Sequence, residues 1–137
     1  IAQTLFKRWF VDFEFPDKDG KPYKSSGGKM IESELGEIPE RCRVGLLGEI
    51  LEFAYGKALK EENRVAGIYP VIGSNGIVGY HNEYFVEGSG IVTGRKGTLG
   101  EIIWINENFT PIDTTFYIKD KQNCTNLFFY YFLFYVF

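Results

Sequence analysis

The sequence has few of the residues that build metal sites and covalent catalytic centres. Among its 137 residues there is one histidine, His81, and there are two cysteines, Cys42 and Cys124. The cysteines lie about eighty positions apart, with no CxxC pair and no histidine nearby, so the pattern does not predict a zinc site. No serine or cysteine stands in a GxSxG nucleophile elbow. We interpret the cysteines as reduced thiols and His81 as a surface or hydrogen-bonded imidazole in a turn.

The chain also lacks an excess of positive charge and a long apolar run. It has 15 Lys and Arg against 18 Asp and Glu, a net charge of -3, so the basic footprint of many nucleic-acid-binding proteins is missing. The apolar run Leu127–Phe137 is too short for a bilayer, which needs about 20 residues. The opening IAQTLFKRWF lacks the zones of a signal peptide. We expect a cytoplasmic location without membrane contact, and the Ile1 start and abrupt apolar end indicate an incomplete, C-terminally truncated piece.

Aromatic residues and glycines are abundant, at 18% aromatic and 16 glycines, and they favour sheet and tight turns. From Tyr69 onward, short extended runs alternate with turn residues about every ten positions, which predicts a compact antiparallel β-domain. The predicted runs are Tyr69–Ile72, Ile77–Tyr80, Tyr84–Val86, Ile91–Thr93, Ile102–Asn106 and Thr114–Ile118. Asn75-Gly76 between the first two runs indicates a hairpin.

Helical patterns flank this region. Ala2–Phe13 has an apolar stripe at helical spacing that ends before Pro16, and Asp17–Lys29 is polar and rich in Gly, Ser and Lys, which is typical of a linker. Apolar residues from Leu46 to Phe53 predict one short amphipathic helix. A last helix is predicted from about Leu127, with Asn123 or Thr125 as its cap.

Two patterns that suggest a nucleotide or a metal site fail on their spacing, and the motif of a third class is absent. In TGRKGTLG, Thr93–Gly100, the lysine precedes the glycine and a β-rich run follows, so it is not a phosphate-binding loop. Around Asp17 and Asp19, lysine and glycine occupy positions where a calcium loop needs oxygen ligands. An adenine methyltransferase would need Asn or Asp before Pro-Pro-Tyr/Phe, which is absent. We expect no catalytic residues, no metal and no cofactor; a catalytic nuclease or methyltransferase domain is the competing class.

Three stretches, in order, resemble the specificity subunits of type I restriction-modification systems. Leu5–Phe13 looks like the end of the helical spacer that precedes a recognition domain. Met30–Phe53 resembles the segment in which Pro-Glu-Gly-Trp leads into a Leu-Gly-Glu helix, although Arg41-Cys42 departs from that pattern. Tyr69–Ile118 is similar to the core of the recognition domain almost end to end.

The resemblance implies an α+β fold: a β-rich target recognition domain with short flanking helices, preceded by the end of a spacer helix. We expect the spacer-helix end at 1–15, a linker at 16–30 and an incomplete recognition domain at 31–137. The family implies sequence-specific binding of double-stranded DNA, with separate modification and restriction subunits that methylate adenine or cleave. The alternatives are a defunct or phase-variable gene fragment, or a half-subunit that associates with itself through its helices.

Polar and aromatic side chains at turns are the candidates for DNA contact. They are Tyr55, Lys57, Lys60, Ser74, Asn75, Tyr80, His81, Arg95, Lys96 and Thr98. A sequence motif that is shared by family members with different DNA targets cannot specify any single target. We therefore expect Gly94–Gly100 to shape the loop or contact phosphate, and base choice to lie at less typical positions such as Lys57–Arg64.

Overall fold

The computed structural model describes residues 1–95, 101–121 and 126–136, and the chain divides into two units, Ile1–Glu49 and Ile50–Phe137. The prediction of a β-rich fold with short helices at both ends is confirmed. The elements of the first unit are α1 (Ala2–Phe6), a π-helical turn (Lys7–Val11), β1 (Met30–Ser33), β2 (Gly36–Pro39) and a 3-10 turn (Leu47–Glu49).

The first unit contains a hairpin that sequence analysis missed. Strands β1 and β2 pair antiparallel from Met30–Pro39 to Ser33–Gly36, and Gly36 has a φ of 105°, which favours glycine. The segment predicted as a linker contains hydrogen-bonded turns. The Lys21 and Asp19 amides donate to Asp17 Oδ1 at 2.9 and 2.8 Å, and these hydrogen bonds lower the pKa of the Asp17 carboxyl.

A second hydrogen-bonded pair ties the end of that segment to the residue after β2. Lys29 Nζ donates to Glu40 Oε1 at 2.7 Å, and this contact raises the pKa of Lys29. Both side chains are exposed, so solvent screens the ion pair and its contribution to stability is small.

The second unit contains two sheets and a helix. Its elements are β3 (Leu51–Tyr55), a 3-10 turn (Glu61–Asn63), β4 (Tyr69–Gly73), β5 (Gly76–His81), β6 (Gly90–Gly94), β7 (Ile102–Ile105), β8 (Thr110–Pro111), β9 (Thr115–Asp120) and α2 (Asn126–Val136). The four-stranded sheet has the order β3-β9-β6-β7, and the three-stranded sheet has the order β5-β4-β8.

The helix predicted over Leu46–Phe53 is wrong, because its second half is strand β3. Leu51 and Ala54 are buried and Glu52 is exposed, while β3 pairs antiparallel with β9 along its length. The apolar residues fit helical spacing over so short a window, but the hydrogen bonds offered by β9 decide the conformation.

The predicted hairpin at Asn75-Gly76 is confirmed, since β4 and β5 pair antiparallel from Tyr69–His81 to Gly73–Gly76. The strand predicted over Tyr84–Val86 is wrong: Val86 forms only an isolated bridge with Phe109. The wholly antiparallel arrangement is also wrong, because β4 and β8 pair in parallel. A parallel pair needs a crossover connection: the chain leaves β4 after Gly73 and enters β8 at Thr110.

Phe109 belongs to a buried core cluster whose other members come from both sheets. It is fully buried, and its cluster includes Ala54, Ile72, Val92, Ile105 and Tyr117, which belong to β3, β4, β6, β7 and β9. Gly90 faces the Phe109 ring so closely that a side-chain Cβ there would collide with it. Helix α2 begins close to the predicted residue and buries Phe129 and Leu133. Its predicted caps, Asn123 and Thr125, lie outside the described residues.

Candidate nucleic-acid interface

Arg95 lies on a pair of aromatic rings at one side of the four-stranded sheet. Its guanidinium carbon is 4.6 Å from the centre of the Tyr55 ring and 5.8 Å from that of Phe116. The two rings are themselves 5.2 Å apart, because β3 and β9 align Tyr55 with Phe116. Contact between a guanidinium and aromatic faces is attractive, since the ring quadrupole presents negative charge to the cation.

The backbone also positions Arg95, which follows the last residue of β6. Its amide donates to the Thr114 carbonyl at 2.8 Å, and its Nη1 donates to the Asp113 carbonyl at 2.8 Å. A guanidinium has five N–H donors, so this contact leaves others for a ligand. The side chain is exposed and Tyr55 is 65% exposed. The arrangement therefore presents a fixed positive charge beside an accessible aromatic ring.

Lys57 and His81 line one small cavity at the other sheet. The cavity has a volume of about 90 Å³, and Glu83, Phe85 and Thr110 also line it. Lys57 Nζ lies 5.5 Å from the centre of the Phe85 ring. Its backbone amide donates to the Pro111 carbonyl at 2.8 Å, which fixes the start of this segment against β8.

The turn predicted around His81 is wrong, because His81 is the last residue of β5 and pairs with Tyr69. The prediction of a hydrogen-bonded imidazole is confirmed: the Val65 amide donates to His81 Nδ1 at 3.0 Å. This contact attaches the segment before β4 to the end of β5. Tyr80 is the preceding residue on the same strand, and half of its surface is exposed.

Arg64 is a structural residue within the segment where we expected base choice. Its Nη1 donates to the Val78 carbonyl at 3.2 Å, and its Nε and Nη2 donate to the Leu59 carbonyl at 3.4 and 3.3 Å. Lys60 precedes the short 3-10 turn and is exposed. The guanidinium thus holds the loop that carries Lys57 and Lys60 against β5. The sequence carries no signal for this role, because it depends on which carbonyls the fold places near Arg64.

The candidates fall into separate groups. Arg95 and Tyr55 lie together, and Lys57 and His81 share the cavity. Ser74 and Asn75 form the turn between β4 and β5. Lys96 and Thr98 lie outside the described residues. Two members of these groups, Phe116 and Glu83, were not among the predicted candidates. A phenylalanine in a strand or a glutamate at a bend does not by itself indicate a binding site.

Across residues 1–95, 101–121 and 126–136, His, Cys, Asp and Glu nowhere group in threes that could hold a metal ion. In the same part of the chain, neither helix is long and apolar enough to cross a membrane.

Residues 39–137 match the family model for the type I restriction modification DNA specificity domain. The chain belongs to this family. A structure search finds similarity to the crystal structure of a type I restriction-modification system S subunit from M. genitalium, with a TM-score of 0.60 and 30% sequence identity. That match covers 66% of this chain and 25% of the S subunit, so the chain spans about a quarter of its relative's length. A search of curated proteins found no match.

The specificity-domain family is the DNA-recognition, non-catalytic component of type I systems. Both resemblances noted in Tyr69–Ile118 and Met30–Phe53 overlap the matched range, whereas Leu5–Phe13 lies before it. The family therefore accounts for the second unit and for the end of the first.

Proposed function

We propose that this chain binds double-stranded DNA sequence-specifically, as part of a subunit that directs separate modification and restriction subunits to their target. In this scheme it reads one half of a split site, while the partners methylate adenine or cleave. The observation that carries the proposal is the exposed Arg95 guanidinium, held over Tyr55 and Phe116 within a specificity domain.

Arg95 suits phosphate contact better than base reading. Phosphate oxygens are recognised by charge and by several N–H donors, both of which an arginine supplies. Arg95 also lies within Gly94–Gly100, which resembles a stretch shared by family members that recognise different targets. A residue in such a stretch is expected to contact phosphate rather than to select a base. Contacts of this kind fix the register of a protein on the duplex without selecting a base.

Base selection is assigned to the loop from Lys57 to Arg64 and to the neighbouring cavity. Base edges carry patterns of donors and acceptors, so a reader needs polar side chains held in a defined place. Arg64 holds this loop through carbonyl contacts, and Lys57 is anchored through its own amide. The segment combines exposure with a fixed backbone, as such a reader requires.

The test is a DNA titration across salt with the double variant Arg95→Ala, Lys96→Ala. Removing two cations that neutralise phosphates should weaken binding to every duplex and lower the slope of log affinity against log salt by about 2. Lys24→Ala with Lys18→Ala, which removes two cations from the first unit, is the matched control and should leave the slope nearly unchanged. Unchanged affinity and slope in the Arg95, Lys96 variant would refute the proposal.

A further inference from the structure

The loop from Lys57 to Arg64, to which base selection is assigned above, is fixed at its start by main-chain contacts. The Gly56 amide donates to the Thr115 carbonyl at 3.0 Å, and the Lys57 amide donates to the Pro111 carbonyl at 2.8 Å. These acceptors belong to β9 in the four-stranded sheet and to β8 in the three-stranded sheet. The start of the loop is therefore attached to both sheets.

The end of the loop is fixed by two side chains that connect it to β5. Arg64 Nη1 donates to the Val78 carbonyl at 3.2 Å, and the Val65 amide donates to His81 Nδ1 at 3.0 Å. Both Arg64 and His81 are half-buried. Since β5 is an outer strand of the three-stranded sheet, these contacts hold the end of the loop along that side of the sheet.

The chain beyond Val65 stays close to the end of β5. A Cβ placed on Gly67 would collide with the His81 carbonyl and with the backbone of Asn82. The segment therefore packs against β5 through its own backbone as well as through the imidazole. A fixed Val65 amide thus determines where the chain leaves the loop before it enters β4 at Tyr69.

The contact between Val65 and His81 requires a neutral imidazole. A neutral ring has one acceptor nitrogen and one donor nitrogen, so with Nδ1 accepting from Val65 the hydrogen lies on Nε2. A protonated ring carries hydrogens on both nitrogens and has no acceptor. Protonation of His81 therefore breaks this hydrogen bond and leaves the Val65 amide facing a second donor.

Other charged and titratable groups lie near this ring. Lys57, Glu83 and Tyr84 line the cavity of about 90 Å³ together with His81, Arg64 is the neighbour of the bonded Val65, and Tyr69 is the partner of His81 on β4. His81 is the only histidine in the chain, and histidine is the side chain that ordinarily changes charge between about pH 5 and 8. Substitution at position 81 therefore tests whether a pH dependence in this range arises from the imidazole.

We propose that His81 is a positioning residue for DNA sequence selection: its neutral ring holds the Val65 amide and so keeps the loop from Lys57 to Arg64 in the conformation that reads bases. This inference rests on the DNA-binding function proposed above. A loop that has lost the bond must be ordered when it meets its target, and that ordering weakens binding. The loss applies to the duplex that the loop reads, so selectivity falls while contacts to phosphate continue.

The experiment measures the selectivity of the 137-residue chain at about pH 7.5 and about pH 5.5. A sequence is first selected from randomised duplexes at the higher pH. The affinity for it is then divided by the affinity for a scrambled duplex at each pH. In the wild type this ratio should fall roughly three- to tenfold at the lower pH, the effect of losing one hydrogen bond. Affinity for the scrambled duplex should not fall, because the protonated ring adds a positive charge.

Two substitutions of matched polarity separate positioning from direct contact with DNA. Asparagine places its carboxamide oxygen near the position of Nδ1, so His81→Asn keeps an acceptor for Val65 and does not titrate. Glutamine places its amide nitrogen near the position of Nε2, so His81→Gln keeps the distal donor and loses the acceptor. At both pH values, His81→Asn should show the high ratio of the wild type at the higher pH, and His81→Gln the reduced one. Protection of the Val65 amide from hydrogen exchange should follow the same pattern.

The outcomes separate this inference from the proposed function. If the wild type selects no sequence at the higher pH, both fail. If it selects a sequence and the ratio does not change with pH, a result that needs no variant, the positioning role is wrong and DNA recognition stands.

The variants supply two further ways to refute the positioning role. A ratio kept by His81→Gln and lost by His81→Asn would identify Nε2 as a DNA contact. A pH dependence that persists in His81→Asn would assign the effect to another group. An equal loss of affinity for both duplexes in His81→Gln would show that the ring only supports the fold, which would also overturn the inference.

Discussion

At the residue scale, the Arg95 site differs from an ordinary surface arginine in how far its geometry is fixed. A free arginine loses side-chain entropy when it binds phosphate, and this loss offsets part of the attraction. Arg95 is already held by the Asp113 carbonyl and by the rings of Tyr55 and Phe116. Part of that entropy is lost on folding, so we expect tighter binding than the charge alone would provide.

Tyr55 should act as a positioning residue for this guanidinium. Removing its ring in Tyr55→Ala should weaken binding to all duplexes by about two- to fivefold, because an exposed cation–π contact contributes about 0.5–1 kcal/mol. Tyr55→Phe retains the ring and should bind like the wild type. The salt slope should stay the same in both variants, since Arg95 keeps its charge. An equal loss in Tyr55→Phe would instead identify the hydroxyl as a DNA contact.

The sequence identified residues of this kind by type, but it could not identify their neighbours. Arg95 and Tyr55 were both candidates, yet forty positions separate them in the chain, and only the pairing of β3 with β9 and β6 with β9 brings them together. Phe116 was missed for the same reason. Arg64 is the opposite case. Its charge suggests a DNA contact, but its guanidinium donates to the Leu59 and Val78 carbonyls, which the sequence could not predict.

At the element scale, signals that act over a few residues were reliable. The Asn75-Gly76 turn predicted the β4–β5 hairpin because it depends on local backbone geometry. The conformation of Leu46–Phe53 and the parallel pairing of β4 with β8 depend on partners far away in sequence. A short apolar stretch fits a helix and a strand equally well. Its conformation therefore depends on the strands with which it can pair, and these are distant in sequence.

The β4–β5 hairpin offers a test of the turn chemistry. Gly76 has a φ of 124°, a conformation that side chains rarely adopt. Gly76→Ala should therefore lower the free energy of unfolding by about 1 kcal/mol or more, measured by urea denaturation. Asn75→Ala is the matched control one residue earlier, where no positive φ occurs, and should change it by less than about 0.5 kcal/mol. Equal effects of the two substitutions would contradict this account.

At the scale of the whole molecule, the net charge of the second unit and the packing of its core both affect DNA binding. Residues 50–137 contain seven Lys and Arg against nine Asp and Glu, so long-range attraction to DNA is weak. Binding must then depend on a few fixed cations, and their positions depend on how firmly the two sheets are joined. Phe109 belongs to the buried cluster that draws residues from both sheets.

Phe109→Ala should disrupt both sheets at once. Truncating a fully buried phenylalanine costs about 3–5 kcal/mol, while a whole domain has only about 5–15 kcal/mol of stability. The core cluster takes residues from five strands of the two sheets, so the loss should appear as one cooperative transition at lower urea concentration. Phe109→Leu fills more of the space and should lose less.

Tryptophan fluorescence can follow this transition in the second unit alone. Of the two tryptophans, Trp9 belongs to the first unit and Trp104 to β7, so a Trp9→Phe background leaves Trp104 as the reporter. In that background, Phe109→Ala should lower the urea concentration at the midpoint of unfolding, as followed by Trp104 fluorescence. DNA binding should fall in proportion to the fraction of the chain that is folded. Because folding then limits binding, adding urea to the parent chain until it is equally unfolded should reproduce the loss. A Phe109→Ala chain that stays folded around Trp104 yet no longer binds DNA would show that Phe109 acts on the interface rather than through the core.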